Sequence, residues 1–168
     1  MKLWVGVTDG DWFQFLSNRP NLEEVNFWQP GGNREFRALE PGELFLLKLH
    51  YPDNMIGGGG FFATSSILPC SLAWETFGGK NGANTFAEMR KRIEKYRHSS
   101  PQPHEDYKIG CIILEQPFFL HRSNWITVPT SFTKNIVSGK TYDVASEHGR
   151  LLWESVQAGS APLLRTPD

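Results

Sequence analysis

Thr64, Ser65 and Ser66 set three hydroxyls in a row, and Ile67-Leu68-Pro69-Cys70-Ser71-Leu72-Ala73-Trp74 follows at once. The segment comes straight after Gly57-Gly58-Gly59-Gly60 and a short Phe61-Phe62-Ala63 run. Hydroxyls and free N–H groups beside a starting helix form a ready anion site. Leu68 and Pro69 in the same turn are unusual partners for a plain phosphate, which prefers polar donors throughout. Donors abutting an apolar dimple suit an anion that is partly apolar, such as a phosphorothioate, whose sulfur is softer and a poorer acceptor than oxygen. The ordinary alternative is a strand end, a proline turn and a hydroxyl-capped helix with Leu68 and Leu72 buried.

Other groups capable of chemistry are scattered. In Glu88-Met89-Arg90-Lys91-Arg92-Ile93-Glu94-Lys95-Tyr96-Arg97 the helical spacing puts Arg92 and Lys91 on one face with Lys95, where they could neutralise phosphates or simply be solvated. Lys80 sits in the preceding glycine-rich loop and could reach a groove. Gln29-Pro30-Gly31-Gly32-Asn33-Arg34 offers two amides for base edges and a guanidinium for a phosphate; a plain hairpin loop is the alternative. Arg37 reads as structural. Of the six tryptophans, Trp28 beside this loop is the one set apart from the core. His104-Glu105-Asp106 and Glu147-His148 lack a second pair at metal-ligand spacing. Cys70 at a helix start could be an activated thiol or a half-buried inert one. No catalytic residue, metal site or cofactor is assigned.

The chain has 168 residues, enough for one domain, and twelve Phe, six Trp and four Tyr, ample for a core. A formal net charge of −1 provides no global attraction to nucleic acid. Cys70 and Cys111 show no disulfide or metal spacing and read as reduced thiols of a cytoplasmic protein. Neither a signal peptide nor a membrane span is expected.

Strands are expected over Lys2 to Val7, Val25 to Trp28, Leu44 to Leu49, Ile56 to Ala63 and Lys108 to Glu115, the fourth with a glycine bulge. Helices are expected after Asp9 or Asp11, over Ser71 to Phe77, over Thr85 to Arg97 capped by Asn84 or Thr85, and over Ser146 to Gln157. Gly78 to Gly82 reads as a flexible loop, and Gln116 to Thr133 as extended chain. The sum is an α+β fold with a curled, partly closed, mostly antiparallel, barrel-like sheet flanked by about four helices. Residues 1–157 form the domain and 158–168 a tail or linker.

Several ordered segments carry a family resemblance. They include Leu3-Trp4-Val5-Gly6-Val7-Thr8-Asp9, Val25-Asn26-Phe27-Trp28-Gln29-Pro30, Phe36-Arg37-Ala38-Leu39, Gly58-Gly59-Gly60-Phe61-Phe62, Leu72-Ala73-Trp74, Ile109-Gly110-Cys111 and Gly139-Lys140-Thr141-Tyr142. In this set the chain resembles the sulfur-binding domain of type IV restriction endonucleases of the HNH-fused group. The resemblance implies a reader of phosphorothioate-modified double-stranded DNA, a binding domain rather than an enzyme, with the HNH nuclease attached beyond Ala158. It implies a sulfur pocket of Ser66, Leu68, Pro69 and Leu72, Leu68 standing where the family carries an aromatic. Phosphates would fall to Arg34, Thr64, Ser65, Lys80, Arg92 and Lys95. Base edges would fall to Gln29, Asn33 and Asn81. A reader of a modified base in DNA or RNA, holding a flipped nucleotide, is the alternative, and a small hydrolase using Glu and His pairs a third.

Overall fold

The computed structural model describes residues 1–98 and 101–164, with 160–164 described by backbone alone. Seven strands form one sheet: β1 (Lys2–Thr8), β2 (Glu24–Gln29), β3 (Leu44–Leu49), β4 (Met55–Pro69), β5 (Lys108–Phe119), β6 (Ile126–Thr127) and β7 (Gly139–Asp143). The order is β2-β5-β4-β3-β1-β7, with β6 pairing β4. Among the described residues only β1 and β3 run parallel; the remaining pairs are antiparallel. Four helices complete the α+β fold: α1 (Gly10–Ser17), α2 (Cys70–Phe77), α3 (Phe86–Glu94) and α4 (Glu147–Leu164).

Alternation in β3 explains the two-sided packing. Phe45, Leu47 and Leu49 enter one core with Trp12, Phe27, Phe36 and Met89. Leu44 and Leu46 enter a second with Leu3, Val5, Phe118 and Leu152. Both faces of β3 are therefore covered, and its near-continuous apolar run follows.

β4 is much longer than the sequence suggests. The expected end at Ala63 is corrected: Thr64, Ser65, Ser66, Leu68 and Pro69 continue the ladder against Ile113, Ile112, Cys111, Ile109 and Lys108. The strand bends without ending because its register shifts between Gly59 and Phe61 and again between Phe62 and Thr64. Glycine is required where neighbours crowd in. A Cβ on Gly58 would lie 2.3 Å from the Phe118 carbonyl oxygen. The expected extended stretch from Gln116 resolves into the end of β5, a 3-10 turn and β6. β7 is an additional strand that the sequence reading left unassigned.

The caps decide the helix starts. Asp9, not Asp11, caps α1, its carboxylate accepting from Trp12 N–H. Thr85, not Asn84, caps α3 through Glu88 N–H, while the Glu88 carboxylate accepts from Asn84 N–H. α3 gives way at Lys95, short of the expected Arg97. α4 runs on to Leu164, beyond the expected Gln157 and into the expected tail. Residues 165–168 lie outside the described residues.

Asp9 also ties α1 to the end of α3. Its second carboxylate oxygen accepts from Lys95 Nζ at 2.9 Å and from the Tyr96 hydroxyl. Burial alone would raise this carboxyl, but the Tyr96, Lys95 and Trp12 donors outweigh it and hold it below the ordinary value of 3.8. Such a depressed carboxyl adds stability above its unfolded value and loses it as pH falls through the folded one. We expect Asp9→Asn to cost about 1–3 kcal/mol at neutral pH in urea unfolding, the gap to wild type closing by about pH 2. We also expect Gly58→Ala to cost about 1–3 kcal/mol at all pH values, because the obstacle is backbone rather than a charge.

Candidate nucleic-acid interface

The curled sheet does not close. Its edge strands are β2 and β7, and the outer edge of β2 at the seam is held by side chains of other elements. The Trp12 indole of α1 donates to Asn26 O on β2 at 3.1 Å. Asn26 Nδ2 donates to Asn81 Oδ1 at 2.8 Å, and the Trp28 indole to Asn81 O at 2.9 Å. Asn81 Nδ2 in turn donates to the Ala73 and Gly78 carbonyls. A 3-10 turn over Gly78–Asn81, where a flexible loop was expected, makes this possible.

Where the bridging stops, the seam opens into a cleft of about 720 Å³. One wall is the end of β2 with its following loop: Phe27, Trp28, Gln29 and Gly31 to Asn33. The other is Val7, Val137 and Ser138, where Ser138 O accepts from Val7 N–H. Tyr96, Arg97 and His50 stand at the rim with Lys108. The loop is held in place rather than free. Arg97 donates to Pro30 O at 2.7 Å and lies over the Tyr107 ring at 4.1 Å. Gly32 rests on Lys108 so closely that a Cβ would come 2.7 Å from its backbone. His50 stacks on Tyr96 with centroids 5.8 Å apart and planes 13° apart. Burial and then the neighbouring Lys48 ammonium push the His50 imidazole below its ordinary value, so at neutral pH it is uncharged.

Of the expected base-contacting residues, Gln29 and Asn33 line this cleft, and Trp28 forms part of its wall. Asn81 does not: it is fully enclosed, with its side chain used by the seam. Its carbonyl accepts from the Trp28 indole, so it lies behind the cleft wall rather than on it. The expected basic face is largely engaged internally. Lys95 pairs with Asp9 and Asp11, Lys80 with Glu24 at 3.1 Å, and Arg92 donates to Gly82 O with its guanidinium over Phe15. Arg34 is exposed on the cleft loop, and Arg37 pairs with Glu35.

The hydroxyl segment is built differently from the expectation. The Ser65 hydroxyl donates to Phe36 O, while Thr64 is exposed and Ser66 half-buried on the ladder. Leu68 packs half-buried on the core and Leu72 is 43 % exposed. The start of α2 already holds an anion of the chain's own: the Asp106 carboxylate accepts from Ser71 N–H at 2.9 Å and from its hydroxyl. Cys70 N–H goes to Tyr107 O, and burial pushes the Cys70 thiol up to about 11, the opposite of activation. Among the described residues no group of three or more His, Cys, Asp or Glu could hold a metal. No described helix is long and apolar enough to cross a membrane.

The sequence reading missed His50, Tyr96, Arg97, Lys108 and Ser138. They come from four separate segments, and no spacing signals their meeting.

No protein-family model matches the chain, and no curated protein matches it. Solved structures do. The ASCH protein of Zymomonas mobilis superposes with a TM-score of 0.61 at 8 % identity, over 90 % of this chain and 94 % of that one. A Tyr-to-Phe mutant of the same protein gives 0.60 at 9 % identity, over 93 % and 99 %. The structures found to share the fold are thus ASCH domains, where the sequence resemblance pointed to sulfur-binding domains. Both carry the expectation of a curled sheet flanked by helices, and the fold of this chain is ASCH-like.

Proposed function

We propose that this is a nucleic-acid-binding domain that receives one unstacked nucleotide in the seam cleft. The observation that carries the reading is the composition of that cleft: aromatic walls from Phe27 and Trp28, two free amides from Gln29 and Asn33, and Arg97 and Lys108 at the rim. Flat rings accommodate a base, amides read its edge, and cations take its phosphate. The ASCH-like fold is in keeping with a nucleic-acid-binding domain. With a net charge of −1, affinity has to come from this local set rather than from a diffuse basic field. The domain needs no chemistry of its own for this task. It corresponds to the modified-base reader among the alternatives weighed above.

The finer reading implied by the resemblance is a phosphorothioate reader serving a fused HNH nuclease. The apolar step of Leu68, Pro69 and exposed Leu72 beside Ser66 supports it. Asp106 at the start of α2 weighs against it, because a bound anion there would face a carboxylate. Arg34 is free to hold a phosphate in either reading.

The deciding titration is at fixed salt, with oligonucleotides carrying one unpaired nucleotide, unmodified or with a single Rp or Sp phosphorothioate. Gln29→Ala and Asn33→Ala are each expected to weaken binding about tenfold, and Lys108→Ala to weaken it equally for every sequence. Unchanged affinity in all three variants refutes the cleft. A preference for one stereoisomer that Leu72→Asp abolishes establishes the sulfur reading instead.

A further inference from the structure

The cleft continues into an exposed surface that its own wall does not account for. His50 lies flat on Tyr96 at the rim, and the next residue, Tyr51, projects its ring with 57 % exposure. Two ammonium groups attend that ring: Lys134 Nζ is 5.2 Å and Lys48 Nζ 5.6 Å from its centroid. Lys48 belongs to β3 and is only 6 % exposed. Its ammonium ends between Tyr51 and Phe132, 5.5 Å from the latter ring. Among the described residues neither lysine has an ion-pair partner. The carboxylates near in sequence or space are engaged elsewhere: Asp53 with Arg122 at 2.6 Å, and Asp9 with Lys95 and Tyr96. Burial lowers the Lys48 pKa, which marks a cation that has lost much of its water without gaining a counter-charge. A phosphate oxygen beside it would recover that loss.

We propose that this surface, His50, Tyr51, Lys48 and Lys134, carries the strand leaving the cleft, so that the ligand is single-stranded nucleic acid. The inference rests on the cleft reading and adds the class of its ligand. An exposed ring can stack only on a base whose face is free, and bases inside a duplex have none to offer. Cations interleaved with rings, with no unpaired carboxylate among them, match a strand that alternates base and phosphate. The geometry chooses no sugar, so DNA and RNA strands share this surface and are separate arms of the test.

The test is fluorescence anisotropy with labelled single strands of about eight nucleotides, as DNA and as RNA, beside the duplex of the same sequence and the free mononucleotide. Wild type is expected to prefer either single strand to the duplex. Tyr51→Ala and Lys134→Ala, both at exposed side chains, are each expected to weaken single-strand binding about tenfold while leaving mononucleotide binding unchanged. Lys134→Ala should also flatten the slope of log K against log salt by about 0.7, and Tyr51→Phe should bind as wild type. Equal affinity for duplex and single strand overturns the proposal, as does single-strand affinity indifferent to both alanine variants. The cleft reading fails separately, by mononucleotide binding that Asn33→Ala does not touch. In that case losses at Tyr51 and Lys134 still place the strand on this surface.

Discussion

The unclosed seam of the sheet is the constraint on which the rest depends. A strand edge exposes carbonyl and amide groups that need partners when buried. Here β2 is completed not by another strand but by one indole and one amide. Trp12 takes the Asn26 carbonyl, and Asn81 takes the Asn26 side chain and presents its own carbonyl to Trp28. These buried polar groups stand in for a missing ladder and link β2 to α1, to the middle of α2 and to the turn after it. They also stop abruptly. Beyond Trp28 no described side chain continues the bridge, and after Gln29 the chain from Pro30 to Asn33 departs from the sheet and leaves a cavity. Glycine at 32 and the Arg97 guanidinium then fix how far the loop departs. Closure by side chains rather than by a strand is thus what makes a walled cleft available at this position.

Electrostatics follow the same division between structural and available groups. Lys95, Lys80, Arg90, Arg122 and Arg150 are each matched to a carboxylate. Most of these pairs are exposed, and each contributes little to stability. Their larger effect is to neutralise the surface, in keeping with a net charge of −1. The cations left without a carboxylate include Arg34, Lys108, Lys48 and Lys134. They lie on the cleft loop, at the cleft rim and beside Tyr51. A protein with little overall charge can still hold a polyanion if its unmatched cations are gathered in this way, and its binding will then depend on few phosphates and only moderately on salt.

How much of this the sequence conveyed depended on whether the deciding contact was local. The strands from Lys2 and over Leu44 to Leu49 are local effects that residue type conveys, whereas the caps were narrowed only to Asp9 or Asp11 and to Asn84 or Thr85, and the crowding of Gly58 comes from Phe118 across the sheet. The length of β4 was hidden because Thr64 to Pro69 carries hydroxyls and a proline, and only pairing with β5 keeps such residues extended. Asn81 was hidden for the converse reason. An asparagine between lysine and glycine reads as a loop tip, and its burial is decided by Asn26, far away in the chain. Lys95 and Arg92 share a helix face as their spacing requires, yet spacing could not tell that Asp9 and Gly82 O would occupy them. Gln29 and Asn33 were legible because the loop chemistry that drew attention to them is also what lines the cleft.

Sequence alone invited an anion at the start of α2 and base edges at the loop from Gln29, and the geometry of the two places separates them. At the start of α2 the N–H of Ser71 and its hydroxyl converge on one point, and Asp106 occupies that point. The helix terminus is satisfied within the fold, and an external anion would gain only what it displaced, with the carboxylate's repulsion against it. At the seam the reverse holds. Gln29 and Asn33 have no hydrogen-bond partner among the described side chains, and their amides lie where a ligand can reach them. A group left open at a cavity wall gains more from a ligand than one already paired. The same asymmetry holds for the two kinds of surface lysine, those matched to acids and those beside Tyr51. On this argument the proposed recognition belongs to the seam and its flank, and the hydroxyl-rich strand, paired along β5, helps to build the sheet that frames them.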